Sequence, residues 1–185
     1  MTQIRKAARI EGHTLLLRDA RVSDAAFIHA LRTDPARTRY LSPIPAGVQA
    51  QADWLHRYEQ DGTQAYFVIA DLVRPDESLG TVRLYGARGT AFSWGSWLLR
   101  AGLPARCAIE SALMVYHYAV WLGFTEAYFE VRQENASVWR FHERFGARRI
   151  GTERQHFQYE LGSADLQAGM VKYERYLPNG IRVLV

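Results

Sequence analysis

The chain has 185 residues, of which 48% are hydrophobic and 23% charged, with a formal net charge of +4. That balance is ordinary for a globular protein with enough chain for a real core, and one domain over residues 1–185 is expected. The single cysteine, Cys107, excludes a disulfide framework and points to a reducing, cytoplasmic setting, and the scattered arginines argue against nucleic acid as a partner.

Residues 1–12 are polar, carry no apolar signal-like stretch and are expected to be mobile. HTLLLRDA (residues 13–20) reads as a first strand. Ser23 is a candidate N-cap for AAFIHALRT, where Phe27, Ile28 and Leu31 recur at helical spacing. Pro35, Pro43 and Pro45 interrupt residues 34–47, giving a loop or a broken helix. VQAQADWLHRYEQDG (residues 48–62) reads as a helix with Trp54, Leu55 and Tyr58 on one face. QAYFVIADL (64–72) and LGTVRLYG (79–86) read as a hairpin across the turn RPDES.

FSWGSWLL (92–99) is a compact fourth strand, and the loop RAGLPAR (100–106) follows it. CAIESALMVYHYAVWL (107–122) is a long apolar helix stopped by Gly123; with Glu110 and His117 inside it, it is too short for a comfortable bilayer span, so no membrane insertion is expected. AYFEVR (127–132) is a fifth strand and ASVWRFHERF (136–145) a helix, opened by Asn135 and closed by Gly146. ARRIGTERQHFQYEL (147–161) has strand character with a break near residues 154–156, a last helix begins near Ser163, and the tail from Pro178 is unassigned. The sum is a mixed α/β (α+β) fold: a mostly antiparallel sheet flanked by helices, with the fourth and fifth strands parallel because a long helix joins them. Its core spans about residues 13–161, and a C-terminal helix and tail cover 162–185.

Residues 92–147 resemble the acetyl-CoA-binding core of the GNAT N-acetyltransferase superfamily. LPARCAIESAL (103–113) lies on that family's loop–helix segment, and EVRQENASVWRFHERFGA (130–147) on its second half, with Asn135 after the strand and Phe141 to Gly146 as the closing turn. The family loop reads Gln/Arg-x-x-Gly-x-Gly/Ala; here Leu103 stands at the first position, Arg106 at the first Gly and Ala108 at the last, so only Ala108 fits and the pyrophosphate-binding loop is degenerate. The resemblance implies a splay between the fourth and fifth strands, acetyl-CoA as co-substrate and a primary amine as acceptor. An amino sugar or nucleotide-linked amino sugar is preferred, on a likeness of FSWGSWLL and AIESAL to members of surface-polysaccharide pathways. A protein N-terminus, as in ribosomal-protein acetyltransferases, is the alternative acceptor; a non-catalytic acyl-CoA-binding module is the alternative class.

The resemblance also distributes roles. Leu98 and Leu99 would pair with the cofactor's amide chain, and the first-turn amides of Ala105, Arg106, Cys107 and Ala108 would meet its phosphates, since helix N-termini favour anions. Arg100 and Arg106 could supply charge in place of the lost glycine, and Arg140 or Arg144 could meet a CoA phosphate. Asn135 would cap its helix and contact the cofactor. His142 occupies the place where relatives carry a Tyr that protonates the departing thiolate. The fourth strand has no carboxylate, so Glu130, or water held by Ser93 or Ser96, is the candidate base. Trp94 and Trp97 are expected on opposite faces of their strand, one of them lining an acceptor pocket or the core. His13, His29 and His56 fall on the acceptor side without a distinguishing spacing. Cys107 reads as a buried, inert thiol. No Cys/His cluster suggests a metal, no Walker-type loop a nucleotidase, and the oligomeric state is open, a homodimer included.

Overall fold

The computed structural model describes residues 2–35 and 47–185. Most of the interruption expected at 34–47 therefore lies outside the described residues. One sheet of nine strands runs in the order β7-β8-β6-β5-β4-β3-β2-β1-β9. The strands are β1 (Arg9–Glu11), β2 (Leu15–Asp19), β3 (Ala65–Asp71), β4 (Ser78–Arg88), β5 (Ala91–Leu99), β6 (Glu126–Arg132), β7 (Arg148–Glu153), β8 (His156–Leu161) and β9 (Arg182–Leu184). The described helices are α1 (Ala25–Thr33), α2 (Val48–Gln60), α3 (Ala105–Trp121), α4 (Ala136–Phe145) and α5 (Ser163–Lys172). All neighbours pair antiparallel except β5 and β6, which are parallel.

Strand β3 shows why its sequence is an unbroken apolar run. Tyr66 and Val68 face one helical layer with Ile28, Leu55 and Tyr58, while Phe67 and Ile69 face the other with Leu113, Val115 and Tyr118. A strand covered on both faces needs no polar alternation. Helix α3 is likewise apolar nearly all round: Ala112, Leu113, Met114, Val115 and Tyr116 are each 0% exposed. The sheet covers one side of it, and α4, α5 and the N-terminal arm cover others.

That arm is not the free segment its composition suggests. Ile4, Ala7 and Ile10 are buried, Tyr118 Oη donates to the Arg5 carbonyl at 2.6 Å, and β1 pairs with both β2 and β9. The unassigned tail thus ends in a strand, and both ends of the chain close one side of the sheet. One local expectation is also corrected. Ser23 does not cap α1: Val22–Asp24 form a short 3-10 turn, and the Asp24 carboxylate takes two bonds from Arg18, at 2.7 and 2.8 Å, and the Arg21 amide at 2.8 Å. Ser163 is the first residue of α5, after Gly162 at the N-cap. Residues 147–161 make a tight hairpin whose turn residues Arg154 and Gln155 both have positive φ.

Glu110 ties α3 to the β1–β2 turn. It lies on α3 at 2% exposure and accepts bonds from the amides of His13 (2.8 Å), Thr14 (2.6 Å) and Leu15 (2.9 Å), and from Thr14 Oγ1 at 2.5 Å. These are the donors of the β1–β2 turn and the start of β2, and a buried donor left unpaired costs about 1–3 kcal/mol. Glu110→Ala is therefore expected to destabilise the fold by about 3 kcal/mol or more, read as a lower urea midpoint at unchanged slope; a loss under about 1 kcal/mol would show that water replaces the carboxylate freely.

Candidate active site

The sheet opens where β5 meets β6. Their pairing is confined to Ala91 with Glu126 and Phe92 with Ala127; beyond these residues the strands diverge. On its other edge β5 stays paired with β4, but the register slips between Thr81 and Arg83. Leu98 faces Thr81 and Gly95 faces Arg83, so Ser96 and Trp97 stand against Val82 alone. This is a β-bulge, with Ser96 at a positive φ of 48°. Gly80 allows the close approach just beyond: a Cβ there would meet the Leu98 carbonyl oxygen at 2.2 Å.

The bulge overturns the expected placing of the tryptophans. One extra residue reverses the alternation, so Trp94 and Trp97 meet on one face with ring centroids 5.3 Å apart. Trp97 Nε1 donates to Ser111 Oγ on α3 at 3.1 Å. His142 packs against this pair from α4: its ring is 4.1 Å from Phe129, 5.3 Å from Trp94 and 6.4 Å from Trp97. It is 4% exposed, and its Nδ1 is buried without a hydrogen-bond partner among the described residues. Burial pushes its pKa down to about 3, so the ring is neutral at pH 7.

A cavity of about 580 Å³ starts in the opening and spreads over the face covered by α1 and α2. Ser93–Trp97 of β5, Tyr128–Arg132 of β6 and His142 line it beside the opening. Arg32, Gln51, Trp54, Arg57, Tyr66, Arg83 and Tyr85 line the part toward α1 and α2. Glu130 is the only carboxylate among the described lining residues and is exposed to solvent. Ser93 and Ser96 also line it, and Arg32 Nη1 reaches Ser96 Oγ at 3.5 Å. His156, opposite Arg132 on β8, joins the rim.

The expected cofactor residues lie at the far end of β5 and along α3 and α4. Leu98 is buried and Leu99 half-buried, opposite Thr81 and Gly80. Arg100 is drawn toward β4, its Nη1 on the Ser78 carbonyl at 3.3 Å and its amide on that of Leu79 at 2.8 Å. Ala105 and Arg106 are exposed at the first turn of α3, where Pro104 is the N-cap and has no capping side chain. The Cys107 amide already binds the Pro104 carbonyl at 2.9 Å, which takes it out of the expected set of anion donors. Cys107 is buried, and burial holds its thiol above its ordinary pKa. Ala108 is half-buried, and its carbonyl accepts Ser111 Oγ at 3.0 Å. Asn135 stands at the N-cap of α4 but makes no side-chain cap; its Oδ1 accepts Ser137 Oγ at 3.2 Å, and the residue lines the cavity. Arg140 and Arg144 are exposed. His13, His29 and His56 are not among the cavity's lining residues.

Sequence reasoning missed Arg32, Trp54, Arg57, Arg83, Tyr85 and His156 as lining residues. Trp54 was visible as part of an apolar helix face. The arginines carried no signal, because their convergence depends on how α1 and α2 cross the sheet.

A family model for the acetyltransferase (GNAT) domain matches residues 14–148. Among solved structures, apo FdhC, described as a nucleotide-linked sugar GNAT, is 32% identical over 96% of this chain and 99% of its own, with a TM-score of 0.78. A spermidine N-acetyltransferase from Vibrio cholerae, in complex with CoA and spermine, has a TM-score of 0.69 at 19% identity, over 83% of this chain and 98% of its own. A probable GNAT acetyltransferase from Chromobacterium violaceum has a TM-score of 0.74 at 18% identity, over 90% and 94%. At these last two identities the likeness is one of fold. A comparison with curated proteins gives no match. A mostly antiparallel sheet that opens between its two parallel strands, with a helix N-terminus after the first of them, defines an acyl-CoA-dependent transferase. The chain belongs to the GNAT acetyltransferase family, whose norm is acetyl-CoA-dependent N-acetyl transfer. Among the described residues no helix is long and apolar enough to cross a membrane, and no group of three metal-ligating side chains converges.

The buried imidazole makes stability pH-dependent. Its folded pKa, about 3, lies below the ordinary 6.5, so the unfolded chain binds the extra proton between these values. His142 therefore costs stability as pH falls from about 6.5 toward 3, by up to about 1.4 kcal/mol per pH unit. Comparing urea midpoints at pH 7 and 4.5, His142→Phe is expected to lose less stability on acidification than the parent; equal losses would mean that the ring is not held neutral.

Proposed function

We propose that this protein transfers the acetyl group of acetyl-CoA to a primary amine on a small, anionic acceptor, with a nucleotide-linked amino sugar the preferred class. The carrying observation is the continuity of one cavity. It runs from the β5–β6 opening, past the orphaned His142 Nδ1, to a wall holding Arg32, Arg57 and Arg83. The 32% identity to a nucleotide-linked sugar GNAT across nearly the whole of both chains supports the same acceptor class.

The residues present fit the co-substrate. Beyond Phe92 the β6-side edge of β5 is unpaired, so its backbone is free to add an extended amide chain as a pseudo-strand, reaching toward Leu98 and Leu99. The first turn of α3 offers the amides of Ala105, Arg106 and Ala108 and the exposed Arg106 guanidinium to phosphates. Arg144 on α4 can add a further charge from outside. A bound thioester supplies the acetyl group and a thiolate that must leave.

His142 helps that departure as a neutral N–H donor rather than as an imidazolium, since its surroundings hold it uncharged at pH 7. In a pocket of Trp94, Trp97 and Phe129, such a bond is stronger than in water. Glu130 takes the proton that the amine loses, directly or through water beside Ser93 or Ser96, because it is the one carboxylate on the described wall.

Two measurements test this reading. Arg106→Ala is expected to weaken acetyl-CoA by about 10–100-fold while sparing a pantetheine thioester that lacks the pyrophosphate; equal weakening of both would remove Arg106 from phosphate binding. His142→Phe is expected to slow single-turnover CoA release by about 10–1000-fold with little change in acetyl-CoA affinity, and His142→Tyr to recover part of the rate through its phenol. Full activity in the Phe variant would exclude His142 from the chemistry, and no acetyl-CoA binding at millimolar ligand would exclude the transferase itself.

A further inference from the structure

The part of the cavity toward α1 and α2 places the Arg83 guanidinium beside aromatic rings. Arg83, on β4, is half-buried. Its Nε is buried without a hydrogen-bond partner, and its Nη1 makes only a 3.3 Å contact to Gln64 Oε1. Among the described residues no carboxylate lies within ion-pair distance of it, and Glu130 is the sole carboxylate on the same wall. The Arg83 guanidinium is instead 4.7 Å from the Tyr85 ring centroid and 5.8 Å from that of Trp54. Arg32 comes to the same wall from α1, and burial, then more weakly the Arg32 charge, lowers the Arg83 pKa. An arginine in such a place stays charged, and its planar fork suits a phosphate bidentately.

Trp54 completes the site. It stacks on Tyr58 at 5.8 Å with an interplanar angle of 4° and meets Tyr66 edge-on at 5.5 Å. Its ring is therefore fixed by the second hydrophobic cluster, yet the residue still lines the cavity. A rigid indole beside a phosphate-binding pair is a platform for a nucleobase, whose flat face stacks on aromatics.

We propose that the α1–α2 side of the cavity is a nucleoside-diphosphate subsite, with Arg83 and Arg32 as its anion-binding pair and Trp54 as the wall for the base. It rests on the nucleotide-linked acceptor proposed above. It puts the anchor of the acceptor on α1, α2 and β4, and the amine at the β5 bulge near Ser96, to which Arg32 is tied. The phosphates of acetyl-CoA belong to the opposite end of β5, so the two diphosphates do not compete.

The test uses the full chain saturated with CoA, titrated calorimetrically with uridine diphosphate, thymidine diphosphate, the matching nucleosides and inorganic pyrophosphate. At least one nucleoside diphosphate is expected to bind the CoA-loaded protein, with its nucleoside at least about 10-fold weaker, the size of one charge-assisted contact. Arg83→Gln should weaken that nucleotide by about 10–100-fold and leave acetyl-CoA affinity unchanged. Trp54→Ala should weaken the nucleotide more than pyrophosphate. If Arg83→Gln also loses acetyl-CoA, it has misfolded, and Arg83→Lys is read in its place: it keeps the charge, loses the fork, and should still bind the nucleotide several-fold more weakly. The proposal is overturned if a protein that binds acetyl-CoA binds neither nucleotide at millimolar concentration. It is also overturned if CoA abolishes nucleotide binding, or if the folded Arg83 variant binds as the parent does. Loss of acetyl-CoA binding in the parent itself would remove the transferase reading and this one with it.

Discussion

The site depends on a pairing that stops. β5 and β6 share two register positions and then separate, so one edge of β5 is left without a strand partner inside a nine-stranded sheet. Unpaired backbone in an apolar interior is costly, and a sheet tolerates it only where something else fills the edge. The rest of the site sits around this gap. α3 starts at the end of β5, α4 starts at the end of β6, and His142 enters from α4 against Phe129 and Trp94. The bulge at Ser96 then turns Trp97 to the same side as Trp94 and aligns Ser96 with Arg32. A regular β5 would send one of the two indoles to the opposite face, and the aromatic collar around His142 would not close.

A gap of this kind needs rigid surroundings, and the polar contacts of the core supply them. Glu110 fastens the β1–β2 turn to α3 through three backbone amides. Asp19 and Tyr58 share a short hydrogen bond between β2 and α2, and the Tyr58 hydroxyl accepts the Tyr66 amide at 2.8 Å. Burial raises the pKa of both Asp19 and Tyr58. Such bonds are directional, so they fix the offset of each helix against the sheet where apolar packing alone would allow sliding. The first anchors α3, the helix proposed to meet the phosphates; the second anchors α2, which carries Trp54 and Arg57.

Sequence reading succeeded where local chemistry and tertiary position agree. Asn135 and Gly146 bracket α4 because the chain must enter and leave that helix there, with Gly146 at φ 123°. The apolar strings of β3 and α3 were legible because burial on both sides leaves no alternation to misread. It failed where the deciding partner is distant. β1 and β9 are three residues each and pair with each other; neither has enough pattern to stand out, and one needs the far end of the chain to exist. The Ser96 bulge left no mark either. Serine is not the residue expected at positive φ, and the Thr81 hydroxyl that binds the Ser96 carbonyl at 2.9 Å lies fifteen residues away. Asn135 was legible as a helix start but not as a residue whose side chain bonds Ser137 instead of capping.

The same division separates the two halves of the site. The proposed transfer machinery lies on contiguous segments, β5–α3 and β6–α4, so a short stretch of sequence carries its outline. The proposed acceptor wall is drawn from α1, α2, β3, β4, β6 and β8, six separate elements. None contributes a motif, because each supplies a few side chains whose meaning arises only on assembly. Their shared property is charge. Arg32, Arg57, Arg83 and Arg132 line one cavity that has Glu130 as its described carboxylate, an imbalance that apolar packing does not require and self-repulsion opposes. A net charge of +4 spread evenly along a sequence predicts solubility and little more. Gathered around one cavity beside Trp54 and Tyr85, the same charge is what the proposed reading uses to give the site a direction: the anionic acceptor enters from the α1–α2 side, with its amine toward the gap where β5 has no partner.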